Sequence, residues 1–147
     1  MSELREEYRF KGMSEHIVDD KGRIFIPSKM RDILGSRFTL SKSFDKCIEI
    51  HSDLGWECKI MDIARKKGTS VANLQRFMGV YSEDVTIDKQ GRIVIPAALV
   101  EYAGISKSAV VVGCGKYAEI WSEENYNAMV AEENIADIKD LLESYGL

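Results

Sequence analysis

Polar and apolar residues alternate in two stretches of this chain: Ile17 and Asp19 lead to Ile24, Phe25 and Ile26, and Val85 and Ile87 lead to Ile93, Val94 and Ile95. A period of two marks β-strands, and the polar Asp-x-x-Gly-Arg between the apolar runs predicts a tight connection between paired strands. Gly22 and Gly91 supply the positive-φ position of that turn, which puts Arg23 and Arg92 at the root of a hairpin. The period then becomes helical. Met30, Ile33 and Leu34 in one stretch, and Leu99, Tyr102 and Ala103 in the other, stand at i, i+3, i+4, one apolar stripe per short helix. Pro27 and Pro96 suit the first turn of these helices, and Gly35 and Gly104 their C-terminal caps. Strands are predicted again at 38–40 with 47–50, and at 109–113 with 117–121. Ser52 and Ser122 are candidate N-caps of helices carrying Trp56, Ile60 and Ile63, and Tyr126, Met129 and Val130. A helix capped by Thr69 or Ser70 and running to about Met78 bridges the two stretches. A last helix carries Ile135, Ile138, Leu141 and Leu142, with Asn134 as its cap.

The same order of elements twice reflects an internal repeat. DDKGRIFIP from Asp19 matches DKQGRIVIP from Asp88 at an offset of 69, and IEIHSDLGW from Ile48 matches AEIWSEENY from Ala118 at 70, so a single-residue length change separates the blocks. Two copies are too few for a solenoid; they predict a pseudo-dimer whose halves bury a shared face. The expected organisation is a first repeat over 10–60, a helical bridge over 61–80, a second repeat over 81–130 and a C-terminal helix over 131–147, all in one compact unit.

Composition adds little to the fold but bears on partners. The 147 residues are 45% hydrophobic and 30% charged, ordinary for one domain with its own core. No apolar run is long enough for a membrane span and the first ten residues are too charged for a secretory signal, which predicts a cytoplasmic protein. Cys47, Cys58 and Cys114 form no Cys-x-x-Cys pair, and neither His16 nor His51 stands at metal-ligand spacing from them, so reduced, mostly buried thiols and no metal are expected. The net charge of −4 speaks against a polyanionic partner until its distribution is read. From Glu119 onward eight acids face Lys139 alone, which leaves the first 118 residues at +3. Arg5, Arg9, Lys11, Lys21, Arg23, Lys29 and Arg31 make the first repeat the basic end.

No nucleophile, base and orienter lie close in sequence, and there is no glycine-rich phosphate loop, so an enzyme is not expected and no cofactor or small-molecule ligand is evident. The repeated Asp-x-x-Gly-Arg carries the chemical content. A guanidinium can take a phosphate, or the O6 and N7 edge of guanine, through two donors at once. The candidate DNA-contacting residues are therefore Arg23 and Arg92, with Lys21, Lys29, Arg31 and Lys89. Asp19 and Asp88 are read as orienting these arginines, since an acid facing DNA repels it unless it positions a neighbouring base. Arg65, Lys66 and Lys67 end a helix and suit its dipole better than a ligand. Trp56, Tyr126 and Phe77 fall on helical stripes, as core or interface residues do.

The doubled Asp-x-x-Gly-Arg-x-x-x-Pro, the spacing of about seventy residues and the stretch EIWSEENY together resemble the MraZ family over nearly the whole chain. The resemblance implies a mainly β fold with flanking helices (α+β): a pseudo-two-fold, tandem AbrB-like double-repeat barrel with swapped hairpins. It also implies a sequence-specific transcriptional regulator, typically a repressor, of the operon for division and cell-wall synthesis. Such a protein would be nucleoid-associated and would bind short direct repeats in double-stranded DNA as a ring-shaped homo-oligomer. The family's Asp-x-x-x-Arg signature falls on Asp19 with Arg23 and on Asp88 with Arg92. Val100 and Ala98 stand where the first repeat has Arg31 and Lys29, so the first repeat is expected to carry more of the contact. Two alternatives stay open at this point: a self-assembling module whose arginines make intersubunit ion pairs, and an antitoxin-like regulator, although no disordered toxin-wrapping tail follows Trp121.

Overall fold

A computed structural model describes residues 8–66, 68 and 70–147; Arg5, Lys67 and Thr69 lie outside them. The first repeat contributes β1 (Met13–Ile17), β2 (Arg23–Phe25), α1 (Ser28–Leu34), β3 (Arg37–Lys42), β4 (Ile48–His51) and α2 (Asp53–Ala64), followed by α3 (Ser70–Val80). The second contributes β5 (Ser82–Thr86), β6 (Arg92–Val94), α4 (Ala97–Ala103), β7 (Ser108–Gly113), β8 (Ala118–Ser122) and α5 (Glu123–Ala131), and α6 (Ile135–Ser144) follows it.

Pairing runs between the repeats rather than within each turn. The large sheet has the order β1-β7-β8-β4-β3-β5, and β2 pairs with β6 in a separate ribbon. All of these pairs are antiparallel. Exchanging the halves reverses the sheet order and leaves it otherwise unchanged, so a pseudo-two-fold passes between β4 and β8, where Glu49 stands opposite Glu119. The expectation that strands on either side of Asp-x-x-Gly-Arg pair with each other is therefore corrected. Asp19 N donates to Arg23 O at 3.2 Å and Asp88 N to Arg92 O at 2.8 Å. Beyond that bond the chains part, β1 to β7 and β5 to β3. The hairpin is swapped, as the resemblance implies.

The length change between blocks is also compound. Gly35 corresponds to Gly104, yet Arg37 occupies the register of Ser108, and Glu49 that of Glu119. Two residues are added before β7, and one is removed in the turn between β7 and β8.

Alternation along the strands sorts side chains to two faces. Ile24, Ile93, Ile26 and Ile95 from the ribbon region meet Phe38, Leu40, Ile48, Ile50, Val111 and Ile120 from the sheet, with Met30, Leu34 and Leu99 from α1 and α4 closing the sides. Each fully buried aliphatic side chain here contributes about 1.5–3 kcal/mol by transfer from water. The opposite sheet face carries a smaller cluster of Cys47, Val110 and Trp121 beneath Tyr126 and Met129.

Helix ends follow the predicted chemistry. Ser52 accepts from Gly55 N at 3.0 Å, Ser122 from Asn125 N at 3.0 Å and Asn134 from Asp137 N at 3.2 Å. Pro27 and Pro96 stand one position earlier than expected, at the N-cap, and their carbonyls take the first helical bonds. The cysteines differ from expectation too: all are free, but only Cys47 is buried, while Cys58 and Cys114 are exposed.

Facing carboxylates on neighbouring strands repel, and separate partners stabilise the Glu49–Glu119 pair. Burial alone would raise the Glu49 carboxyl, but contacts with His51 Nε2 at 2.8 Å and Lys59 Nζ at 2.9 Å hold it below its usual range. Glu119 accepts from Trp121 Nε1 at 3.0 Å.

Candidate nucleic-acid interface

The β2–β6 ribbon presents one face inward and one outward. Ile24 and Ile93, paired at its centre, are buried, whereas Phe25 and Val94 are about half exposed. Arg23 lies opposite Val94 and Phe25 opposite Arg92, so period-two alternation puts both arginines and both apolar side chains on the outer face. The two arginines are diagonal neighbours across the pseudo-two-fold. That relation sets their Cα atoms about 7–8 Å apart.

Each arginine is held by its own turn. Asp19 Oδ1 accepts from the backbone N–H of Lys21 at 3.0 Å and of Arg23 at 2.8 Å, while Oδ2 accepts from Arg23 Nε at 2.6 Å. Asp88 repeats this with Gln90 N at 2.8 Å, Arg92 N at 2.9 Å and Arg92 Nε at 3.0 Å. Both carboxyls are held below the usual aspartate range, most by the backbone N–H of the arginine, then by the Arg23 side chain at Asp19 and by the Gln90 backbone N–H at Asp88. Because the aspartate engages Nε, both terminal nitrogens of Arg23 make no hydrogen bond among the described residues. Arg92 uses Nη2 on Gln90 Oε1, and its guanidinium lies 5.8 Å from the Phe25 ring centroid.

The turns lock onto the opposite repeat. Gly22 O accepts from Ile95 N at 2.9 Å, and Gly91 O from Ile26 N at 3.0 Å. Both glycines have positive φ, 78° and 81°, which L side chains rarely adopt. Around them the two turns differ. A Cβ on Gly91 would lie 2.7 Å from Arg31 Nη1, whereas one on Gly22 would meet the backbone oxygen of Ile95 at 3.2 Å. Arg31 Nε donates to Ile26 O at 3.0 Å, and its guanidinium covers the second turn.

The predicted basic residues therefore divide. Lys21 and Lys89 are exposed within the turns, and Lys29 is exposed in the first turn of α1, just beyond the ribbon. Arg31 belongs in sequence to the first repeat but lies in space beside the second turn, so charge that is uneven along the chain is shared between the two ends of the ribbon. Arg9 and Lys11 are not part of this surface. They flank Phe10, which bridges to Gly115 at the far end of β1, roughly 20 Å from the turn at the strand rise per residue. Sequence reading missed Phe25 and Val94 as surface residues because each stood in an apolar run of three. Counting by twos from the arginines would have placed them outside.

The family profile described as "MraZ protein, putative antitoxin-like" matches residues 10–71 and 77–143, both repeats in turn. The chain belongs to the MraZ family. A protein of Dictyoglomus thermophilum named Transcriptional regulator MraZ is 38% identical over 130 residues, covering 87% of this chain and 89% of that protein. One of the same name from Lachnoclostridium phytofermentans is 37% identical over 139 residues, covering 94% and 98%. A third, from Thermoanaerobacter pseudethanolicus, is 40% identical over 139 residues, covering 89% and 96%. These MraZ relatives are named as regulators of transcription, not as enzymes. No described helix is long and apolar enough to cross a membrane.

Proposed function

We propose that this protein is a sequence-specific, DNA-binding transcriptional regulator whose β2–β6 ribbon enters the major groove. The observation that carries the reading is the pair Arg23 and Arg92 on the outer face of a two-stranded ribbon, each anchored through Nε. The major groove admits a two-stranded ribbon. A spacing of about 7–8 Å corresponds to about two base-pair steps at 3.4 Å each. Arg23 and Arg92 would then read guanine edges or hold phosphates, Phe25 and Val94 would meet thymine methyls, and Lys21, Lys29, Lys89 and Arg31 would contact the backbone. Asp19 and Asp88 orient the guanidinium groups and do not face the DNA.

The finer reading is a nucleoid-associated repressor of the division and cell-wall operon, bound to promoter direct repeats as a ring with one ribbon per subunit. Weak single contacts then become tight through effective concentration once one subunit is engaged. The two repeats at 10–60 and 81–130 form one contact unit in this reading, because the ribbon needs a strand from each. An antitoxin-like role would call for a toxin-wrapping disordered tail, whereas residues after Trp121 form α5 and α6. The test is a gel shift with promoter DNA. Arg23→Ala should weaken binding about fivefold or more with the assembly intact, and unchanged binding would refute the reading.

A further inference from the structure

The two ends of the ribbon share a backbone but not a chemistry. At the offset of 69, Lys89 and Gln90 stand in the second turn where the first has Asp20 and Lys21. Gln90 Oε1 accepts from Arg92 Nη2. Lys21 has no acceptor, so it cannot make that bond to Arg23. The opposite strand adds a second difference. The Arg92 guanidinium stands over the ring of Phe25, 5.8 Å from its centroid and within cation–π range, whereas Val94 stands opposite Arg23. Arg92 is thus held at Nε by Asp88, at Nη2 by Gln90 and across its face by Phe25. Among the described residues, the Arg23 guanidinium is held only at Nε, by Asp19. Side-chain exposure follows the same order, 22% for Arg92 and 33% for Arg23.

Charge separates the ends less sharply. Ile26 N donates to Gly91 O, so α1 begins beside the second turn and brings Lys29 and Arg31 to the end that holds Lys89. The first turn has Lys21 and, through the bond from Val18 N to its carbonyl, Lys107. Cations are present at both ends, and what differs is how firmly each arginine is held.

We infer that Gln90 is a specificity-determining positioning residue: it fixes the plane of the Arg92 guanidinium so that this end of the ribbon reads guanine, while the Arg23 end contributes more affinity than discrimination. The inference rests on the DNA-binding reading above. Guanine presents O6 and N7 in one plane, and a guanidinium must lie in that plane to reach both. A side chain already held there loses less rotamer freedom on binding. Adenine offers N7 but sets a donor beside it, so a fixed donor plane rejects it. Gln90 is not itself the adenine reader that a glutamine can be. That contact needs the amide oxygen, which is engaged by Arg92. Arg23, with both terminal nitrogens free to turn, adapts to a base edge or a phosphate alike. A site read in this way has a direction, although the backbone that reads it is pseudo-symmetric.

The test is a competition gel shift on the full chain, with the DNA immediately upstream of its own gene against a shuffled duplex of the same length. The readout is the ratio of the two affinities. Gln90 is exposed, so variants there should keep the wild-type melt and oligomer. Gln90→Lys removes the acceptor and adds a cation. It should bind the shuffled duplex more tightly and lower the ratio about two- to tenfold for each ribbon engaged. Gln90→Glu keeps an acceptor for Arg92 Nη2 and adds an anion, so both affinities should fall while their ratio stays at the wild-type value. Arg92→Ala should lower the ratio by more than Arg23→Ala. Methylation interference at guanine N7 adds the position: guanines whose methylation blocks wild type and Gln90→Glu should cease to matter in Arg92→Ala and matter less in Gln90→Lys. A wild type with no preference for the upstream DNA would remove the DNA-binding reading and this inference with it. Where wild type does prefer that DNA, three results would overturn the inference alone: Gln90→Lys keeping the full ratio, Gln90→Glu losing it as Gln90→Lys does, or Arg23→Ala lowering it as far as Arg92→Ala.

Discussion

Substituting the two turn glycines tests the cross-repeat packing of the ribbon. Gly22 and Gly91 are equivalent in sequence and both have positive φ, so alanine at either should cost about 1–2 kcal/mol for backbone conformation alone. Their surroundings then separate them. At Gly91 the new methyl would overlap the Arg31 guanidinium at 2.7–3.2 Å, and Arg31 must swing away, losing its hydrogen bond to Ile26 O. That loss is about 0.5–1.5 kcal/mol, so Gly91→Ala should total about 1.5–3.5 kcal/mol. Arg31→Ala alone should cost about 0.5–1.5 kcal/mol for the same bond. The double variant should then be no less stable than Gly91→Ala, because the Arg31 contact is already gone. Gly22→Ala with Arg31→Ala should instead be additive, since the obstacle at Gly22 is the Ile95 carbonyl. Urea unfolding of the six proteins gives both cycles. Additivity within about 0.3–0.5 kcal/mol in the Gly91 cycle would refute the placement of Arg31 over the second turn.

Further outcomes follow from the same packing. Ile24→Ala or Ile93→Ala should cost about 2–5 kcal/mol in urea unfolding, as each side chain is fully buried beneath the ribbon. Stability should fall in acid: Asp19, Asp88, Asp84 and Glu49 are all held below their ordinary values. Their contribution is complete above the unfolded carboxyl range near pH 4 and is lost as pH drops through the lower folded values. A melting temperature that is flat down to pH 5 and declines below pH 4, with a shallower decline in Asp19→Asn with Asp88→Asn, would bear this out. On the isolated subunit, a thiol reagent at neutral pH should label Cys58 first, because it is the exposed cysteine with no acidic partner among the described residues holding it back. Burial and the nearby Glu119 push the Cys114 thiol up to about 12, so it should react slowly, and buried Cys47, pushed up further, should react only on unfolding. Mass spectrometry of timed samples checks that order.

Much of this architecture was legible because it is local. Gly22 and Gly91, Ser52 and Ser122, and the change of period after Pro27 and Pro96 are set by φ, by capping donors and by side-chain spacing within a few residues. Strand partnership is not local. Alternation assigned Ile24 and Ile93 to a buried face, but it carries no information on whether β2 pairs with β1 or with β6. The swapped answer followed only from a resemblance. The same limit hid Arg31, whose contact with Gly91 spans 60 positions. Within the site, the arginines were legible as chemistry because their spacing from the aspartates is fixed by one turn. Phe25 and Val94 were not, because an apolar residue beside two buried isoleucines reads as core until its strand parity is counted.

The central claim is that Arg23 and Arg92 on the ribbon contact DNA. The most direct measurement is a gel shift of this protein with the DNA immediately upstream of its own gene, at several salt concentrations, for wild type and for Arg23→Ala with Arg92→Ala. The account predicts a shift with wild type that weakens steeply as salt rises, and a double variant that binds more weakly by about thirtyfold or more, at about 1–3 kcal/mol per bidentate contact, with a shallower salt slope. Wild-type and double-variant proteins binding alike at every salt concentration, with the same oligomer in both, would contradict it.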